Sequence, residues 1–400
     1  MHNHLPRRFF PSCTVLALAF ALSACENSWW GDNKEPTLNV EQMRQLIPNR
    51  VAKRDSWAQD IDSITTQLGI PQSKENICTI IAVVDQESNF VADPVVAGLG
   101  AKAVKEVEDR LDEKFSEKLG DAIGGKVAGY FQDVLQNHPD PKNNYLSQMR
   151  KVKTERELDE LYREIFIYMS KHYHVSALTS AAKLVGQNFS EKLNPITTLG
   201  SMQVHISYAD EHKRQSGSMA DLRTDLYTQY GGLYYGIHRL MMYKTSYDKP
   251  IYRFADYNSG MYSSRNAAFQ EMLNELSEIE VALDGDLLLY NKEGRAKAVK
   301  SQTELAVLSV FAAHNVLLTP RQIRSDLKKE KEQKFESTST YQDLVKLYET
   351  KTGKKAAYAI MPQVVITGPK LSRDYNTNWF ATRVNGRYET CMKKARQIKI

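Results

Sequence analysis

Apolar positions recur along most of this chain at helical spacing. On a wheel advancing about 100° per residue, Ile77, Ile80, Ile81, Val83 and Val84 fall in one broad arc, with Phe90 at its edge. Val104, Val107, Leu111, Phe115 and Leu119 repeat in the same way with charges between them. Leu158, Leu161, Ile165 and Met169 mark an amphipathic helix over Thr154–Tyr173. Between these two stripes, Gly124, Gly125 and Gly129 interrupt an apolar stretch, and His138 to Asn144 reads as a loop. Further on, Gln302–Asn315 and Pro320–Thr350 read as helices, and the charge run Lys328 to Lys334 is the solvated face of the second. Leu283–Tyr290 reads as a short extended segment. Val364–Ile366 followed by Gly368-Pro369 reads as strand and turn, and the end, through Trp379, Arg383, Asn385-Gly386 and Tyr388, carries mixed turn and strand signals. The pattern predicts a mainly α chain with a mixed α/β C-terminal region.

One position breaks the first stripe. Glu87 lands near the centre of the apolar arc, one turn beyond Val83, while Asp85 and Gln86 fall outside it on opposite margins. A carboxylate there is either desolvated or faces a cleft. Desolvation disfavours its charged form, and a carboxylic acid still protonated near neutral pH is what general-acid cleavage of a glycosidic bond requires. The plain structural alternative is a core-edge glutamate satisfied by an arginine or a backbone amide.

The beginning of the chain indicates where such chemistry would take place. Arg7 and Arg8 precede the apolar run Thr14 to Ala21, too short to span a membrane, and small residues follow at Leu22-Ser23-Ala24-Cys25. This is a secretory signal, and its ending resembles the lipobox of bacterial lipoproteins. That resemblance implies cleavage before Cys25 and lipidation of its thiol, giving durable membrane anchoring. Glu26 stands where inner-membrane lipoproteins carry aspartate, so the periplasmic face of the outer membrane is the expected location. The chain has four cysteines; with Cys13 in the signal and Cys25 lipidated, Cys78 and Cys391 remain. Two thiols in an exported chain suggest one disulfide, the alternative being two buried free thiols. Lys and Arg number 53 against 48 Asp and Glu, a formal charge of +5; losing Arg7 and Arg8 with an acid-free signal leaves +3. So mild an excess suits a neighbour of anionic wall polymers and gives no argument for nucleic acid.

Two motifs follow Glu87-Ser88: Gly200-Ser201-Met202-Gln203-Val204, and Phe254-Ala255-Asp256 leading into Tyr257-Asn258-Ser259-Gly260. In composition and order the three resemble the motifs of lytic transglycosylases, members of the lysozyme-like superfamily that cut the glycan strands of bacterial peptidoglycan. The resemblance implies that Glu87 acts as acid and then base. It implies that Ser88 bonds a substrate or helix group, that Met202 and Gln203 line the sugar groove, that Tyr257 positions or modulates the glutamate, and that Asn258 contacts substrate or the motif loop. It implies a 1,6-anhydro product formed by internal attack of the muramyl C6 hydroxyl, with one carboxylate where ordinary glycosidases use two. Departures are the long gap from Glu87 to Gly200 and Ser201 in place of leucine or proline. The wider layout also resembles a family of Gram-negative lipoproteins carrying such a domain, which implies the compartment and no more.

Asp256, Asp284 and Asp286 are the rival second carboxylates, and one of them close to Glu87 would imply a hydrolytic muramidase instead. No His-Glu-x-x-His, phosphate loop or Gly-x-Ser-x-Gly occurs, His172-x-His174 lacks a third ligand, and the cysteines do not form a zinc cluster, so neither metal nor cofactor is expected.

The expected organisation is a signal peptide (1–24), a lipid-anchored tether (25–40), a lysozyme-like helical domain in two pieces (41–97 and 191–280), a long helical insert (98–190) and a C-terminal accessory region (281–400). The insert is expected to be a helical pair packed on the core, or a lid along a glycan groove. The expected partners are peptidoglycan strands and, through Cys25, a membrane; the sequence names no protein partner. The alternatives in other classes are a lipoprotein that binds peptidoglycan without cleaving it and an envelope scaffold.

Overall fold

Three apolar cores, each wrapped almost wholly in helices, organise the chain. The computed structural model describes residues 37–172, 194–291, 294–366 and 375–399. The expected signal 1–24, Cys25, most of the tether, His174, Gly368-Pro369 and the end of the insert lie outside the described residues. The tether stops short of its expected limit at 40. Leu38 is already buried and its N–H bonds the Gln72 carbonyl at 2.9 Å. Helix α1 (Val40–Leu46) then starts behind Asn39, whose side chain forms a capping box with Gln42.

The first core gathers α1, α2 (Arg54–Gln67) and α3 (Lys74–Ser88) with segments far along the chain. These are α8 (Ile206–Glu211), α9 (Met219–Leu226), α10 (Gln229–Met241), α11 (Pro250–Ser259) and α16 (Thr377–Ala395). Helix α3 is buried on nearly every side from Ile77 to Asp85. The reason lies outside its own segment: α16 packs along it, and α1 and α10 also touch it. Cys78 of α3 and Cys391 of α16 are joined in a disulfide, their Cα atoms 5.5 Å apart across 313 residues of sequence.

The second core is the insert. Helices α4 (Leu99–Leu119) and α5 (Asp121–Asn137) form an antiparallel hairpin, closed by α6 (Tyr145–Met149) and α7 (Glu155–His172) around Phe115, Phe131 and Phe166. Gly124, read from the sequence as an interruption, lies inside α5: a Cβ there would meet the Ser116 backbone at 2.4 Å, so glycine is what lets the hairpin close. A buried ion pair joins this unit to the first core. Asp159 of α7 meets Arg223 of α9, and the Asn194 amide donates to the same carboxylate at 2.6 Å. Removing one partner of such a pair would strand a buried charge.

The third core contains α12 (Ser263–Leu276), α13 (Gln302–Ala313), α14 (Pro320–Leu327) and α15 (Ser339–Thr352). It begins before residue 281 and stops well short of 400, so the expected accessory region divides in two, and α16 returns to the first core. The mixed α/β character expected of this region is reduced to one two-residue ladder, in which Val365–Ile366, within the expected strand, pairs with Tyr375–Asn376. Leu283–Tyr290 makes no strand, only one isolated bridge from Tyr290 to Ala296. The chain end is a helix of 19 residues through Asn385-Gly386, because burial of Phe380, Val384, Tyr388, Cys391 and Ala395 at helical spacing outweighs a turn-forming dipeptide. Strand pairing among the described residues is confined to two short antiparallel ladders, β1 (Thr198–Leu199) with β2 (Val204–His205) and β3 (Val365–Ile366) with β4 (Tyr375–Asn376). The fold is mainly α.

Candidate active site

The end of α3 is held firmly. Ser73 caps its start by accepting from the Asn76 N–H at 3.2 Å. Its last turn is followed by two non-glycine residues with left-handed backbone, Asn89 (φ 51°) and Phe90 (φ 60°). Phe90 keeps that uncommon conformation with its ring buried edge-on against Trp57, 5.3 Å between centroids. Glu87 and Ser88 therefore sit on a fixed terminus. Glu87 is half-buried. Ser88 is buried, and its hydroxyl donates back to the Val84 carbonyl at 3.2 Å, a bond to its own helix.

The second motif is the tight connection between β1 and β2. Gly200 has φ 77°, and a Cβ there would lie 2.2 Å from the Leu226 carbonyl oxygen, so the position excludes side chains twice over. The connection rests on α10, whose glycines face it: a Cβ at Gly236 would fall 2.2 Å from Met202 Sδ and 2.4 Å from Met202 Cβ. Met202 is fully buried, so its side chain anchors the turn from beneath instead of lining a groove. Gln203, also left-handed at φ 51°, is half-buried. Its amide donates to Glu155 Oε2 at 3.1 Å and to the Gly200 carbonyl at 3.2 Å, and accepts from the Thr198 hydroxyl at 3.2 Å.

Tyr257, on α11, connects these pieces. Its hydroxyl donates to the Met202 carbonyl at 2.6 Å. Arg239 of α10 lies over its ring, 4.7 Å from the centroid, and donates to its backbone carbonyl. Burial first of all pushes the Tyr257 phenol up from its ordinary pKa; the Glu87 carboxylate pushes the same way and Arg239 opposes both. Glu87 and Tyr257 are therefore within electrostatic reach of each other. Asn258, next on α11, is half-buried. The structure thus brings together Tyr257 and the backbone of the Gly200–Val204 turn, with Glu87 within electrostatic reach of the phenol. It turns the Gln203 amide toward the insert, and leaves Ser88 and Met202 as internal supports.

Two of the three rival carboxylates, Asp256 and Asp284, are engaged elsewhere. Asp256 is enclosed and accepts from the hydroxyls of Tyr247 (2.6 Å), Ser263 (3.1 Å) and Tyr243 (3.2 Å) and the N–H groups of Ser264 (2.8 Å) and Tyr262 (2.9 Å), capping the start of α12. Asp284 accepts from the Gln270 amide at 2.8 Å. Two residues not singled out in the sequence stand closer to the motifs. Arg239 lies in an apolar glycine-rich helix, where a lone cation interrupting the pattern was its signal. Glu155, buried at the start of the insert's α7, gave none, because what matters is its contact with a residue 48 positions later. Among the described residues, no group of three or more His, Cys, Asp or Glu side chains forms a metal cluster. No helix there is long and apolar enough to cross a membrane.

A mainly helical protein in which a tyrosine on one helix holds a glycine-seated turn, with a carboxylate from the end of another helix within electrostatic reach, is the class this architecture defines. The chain belongs to the family described as Protein of unknown function (DUF1615), which matches residues 50–394 and so includes Glu87, both later motifs and Cys391. It is similar to the Uncharacterized protein YaiW of Escherichia coli (strain K12), 34% identical over 354 residues, which is 88% of this chain and 89% of that protein. No solved structure matches it significantly.

Proposed function

We propose that this chain is a peptidoglycan lytic transglycosylase with a lysozyme-like catalytic core, held by a lipidated Cys25 at the periplasmic face of the outer membrane. The observation that carries the reading is the bond from the Tyr257 hydroxyl to the Met202 carbonyl, which ties the third motif to the Gly-x-Met-Gln-Val turn, with the Glu87 carboxylate within electrostatic reach of the same phenol. That arrangement supports a common task for the three separated motifs.

In this mechanism Glu87 protonates the glycosidic oxygen between the muramyl and glucosaminyl sugars while the muramyl acetamido group assists departure. The same carboxylate then takes the C6 hydroxyl proton as that oxygen attacks the anomeric carbon, closing the 1,6-anhydro ring without water. Tyr257 is a positioning residue: its bond to the Met202 carbonyl sets the turn against the end of α3. Ser88 holds the last helical turn, and Asn258 lies on the exit of α11 toward substrate.

The test is digestion of purified peptidoglycan by the chain from Glu26 onward, beside Glu87→Gln, with released fragments identified by mass spectrometry. Anhydro-muropeptides from the wild type and none from the variant are expected. Reducing-end fragments would replace the reading with a hydrolase, and Glu155 would then be the first second carboxylate to substitute. Intact wall that retains the protein would leave a peptidoglycan-binding lipoprotein.

A further inference from the structure

A pocket lies where the loop after α1 meets α3 and α16, and its lining contains neither Glu87, nor Tyr257, nor any residue of the Gly200–Val204 turn. Its cavity measures about 540 Å³, within the range of small-molecule sites. Arg50, Arg383, Arg387 and Lys394 line it against a single carboxylate, Asp85, with Ile81 contributing apolar wall.

The basic groups are not scattered. Arg383, Arg387 and Lys394 follow one another on one face of α16, at spacings of four and seven residues. Like charges four apart on a helix repel and cost stability, so folding alone gives no reason to put them there. Asp85 relieves only part of the repulsion. It is buried, pairs with Arg50, and lies 3.2 Å from Arg387 Nε. For Arg387, burial lowers the pKa most, and both Arg383 and Arg50 push the same way against the pull of Asp85. The positive field is therefore uncompensated from within. It is also rigidly mounted, because the Cys78–Cys391 disulfide clamps α16 to α3 beside the pocket and Cys391 is part of its lining.

We infer that this pocket binds the phosphate group of a small phosphorylated ligand, with Arg383, Arg387, Lys394 and Arg50 as the anion's partners and Asp85 orienting two of the guanidiniums. Guanidinium forks match phosphate oxygens in pairs. A net excess of three positive charges on the lining suits a doubly charged phosphomonoester better than a single carboxylate. The cavity leaves room beyond the phosphate for the rest of the molecule, which would rest on Ile81 and Leu46.

The experiment is calorimetric titration of the full chain with inorganic phosphate, glycerol 3-phosphate and, as the control, acetate. Saturable binding of the two phosphates and not of acetate is expected, weakened about tenfold or more in Arg383→Gln and in Lys394→Gln, the loss of one charged contact. Both positions are at the surface or half-buried, so unchanged thermal melting of these variants separates lost binding from lost folding. Glu87→Gln should bind phosphate like the wild type, which keeps this result independent of the proposed reaction. Sedimentation with phosphatidylglycerol against phosphatidylcholine vesicles tells a lipid headgroup from a free metabolite: binding to the former beyond glycerol 3-phosphate assigns the lipid, and no gain assigns the soluble ligand. Absence of saturable binding, equal binding of acetate, or undiminished binding in both variants would overturn the inference.

Discussion

Replacing Gly236 by alanine tests the packing on which the candidate site rests. In an exposed helix interior the change should stabilise by about 0.5–1 kcal/mol, because alanine loses less backbone entropy on folding. At Gly236 the new Cβ would fall 2.2 Å from Met202 Sδ, 2.7 Å from Met202 Cγ and 2.4 Å from Met202 Cβ. Met202 is fully buried and its Cβ is fixed by the backbone, so the turn itself has to move. Overpacking of this kind costs about 1–3 kcal/mol, which set against the propensity gain leaves a net loss of up to about 2.5 kcal/mol. Gly129 supplies the internal control: it is exposed inside α5, and a Cβ there meets nothing within 4 Å. Thermal unfolding followed by circular dichroism should show Gly129→Ala at or above the wild-type midpoint and Gly236→Ala about 1–3 °C below it, at about 1 °C per kcal/mol for a chain of 400 residues. Because Met202 carries the carbonyl that receives the Tyr257 hydroxyl, glycan cleavage should fall further than stability does in Gly236→Ala. Equal stabilisation by both substitutions would refute the docking of the motif turn on α10.

Three further predictions use other contacts. Tyr257→Phe leaves the buried Met202 carbonyl without its 2.6 Å partner and should cost about 1–3 kcal/mol in urea unfolding; a neutral result would mean that water already serves that carbonyl. Replacing Cys78 and Cys391 together by serine opens a loop of 313 residues and should lower stability by about 2–5 kcal/mol, read as a drop in melting temperature from the oxidised wild type that reduction of the wild type reproduces. Glu330 is buried, and burial raises its pKa from 4.5 to about 7, while Oε2 accepts from the Leu287 and Leu288 N–H groups at 2.7 and 3.1 Å. Between pH 4.5 and 7 the folded chain keeps a proton that the unfolded chain has released, so stability falls as pH rises through that window, by up to about 3 kcal/mol. Glu330→Gln keeps an acceptor for both N–H groups without the charge, and its stability relative to wild type should therefore improve from pH 5 to pH 8; a constant offset would refute the assignment.

The sequence by itself was enough for most of the helices and their buried faces, because each is written in a period that neighbouring residues share; Pro320–Thr350, read as one helix with a solvated charge run, instead divides into α14 and α15 around the buried Glu330. The stripes around Val104 and Leu158 became α4 and α7, and the three motifs were visible as short strings of consecutive residues. Two thiols left in an exported chain pointed to the pairing of Cys78 with Cys391. What the local pattern did not contain was the partner of each face. On its own wheel Asp85 sat at a polar margin; in the fold it is buried, because α16 arrives from three hundred residues away with Arg387 to meet it. The same helix was misread as turn and strand, since Asn385-Gly386 is a turn signal until burial of the flanking apolar residues overrides it. Gln203 was expected to face sugar and instead holds Glu155, and Asp256, a rival catalyst on paper, is consumed in capping α12. Periodicity reports that a face must be covered, whereas burial and charge pairing depend on which distant surface covers it. That choice is made only when the whole chain has collapsed, so helices and motifs were legible in advance and their neighbours were not.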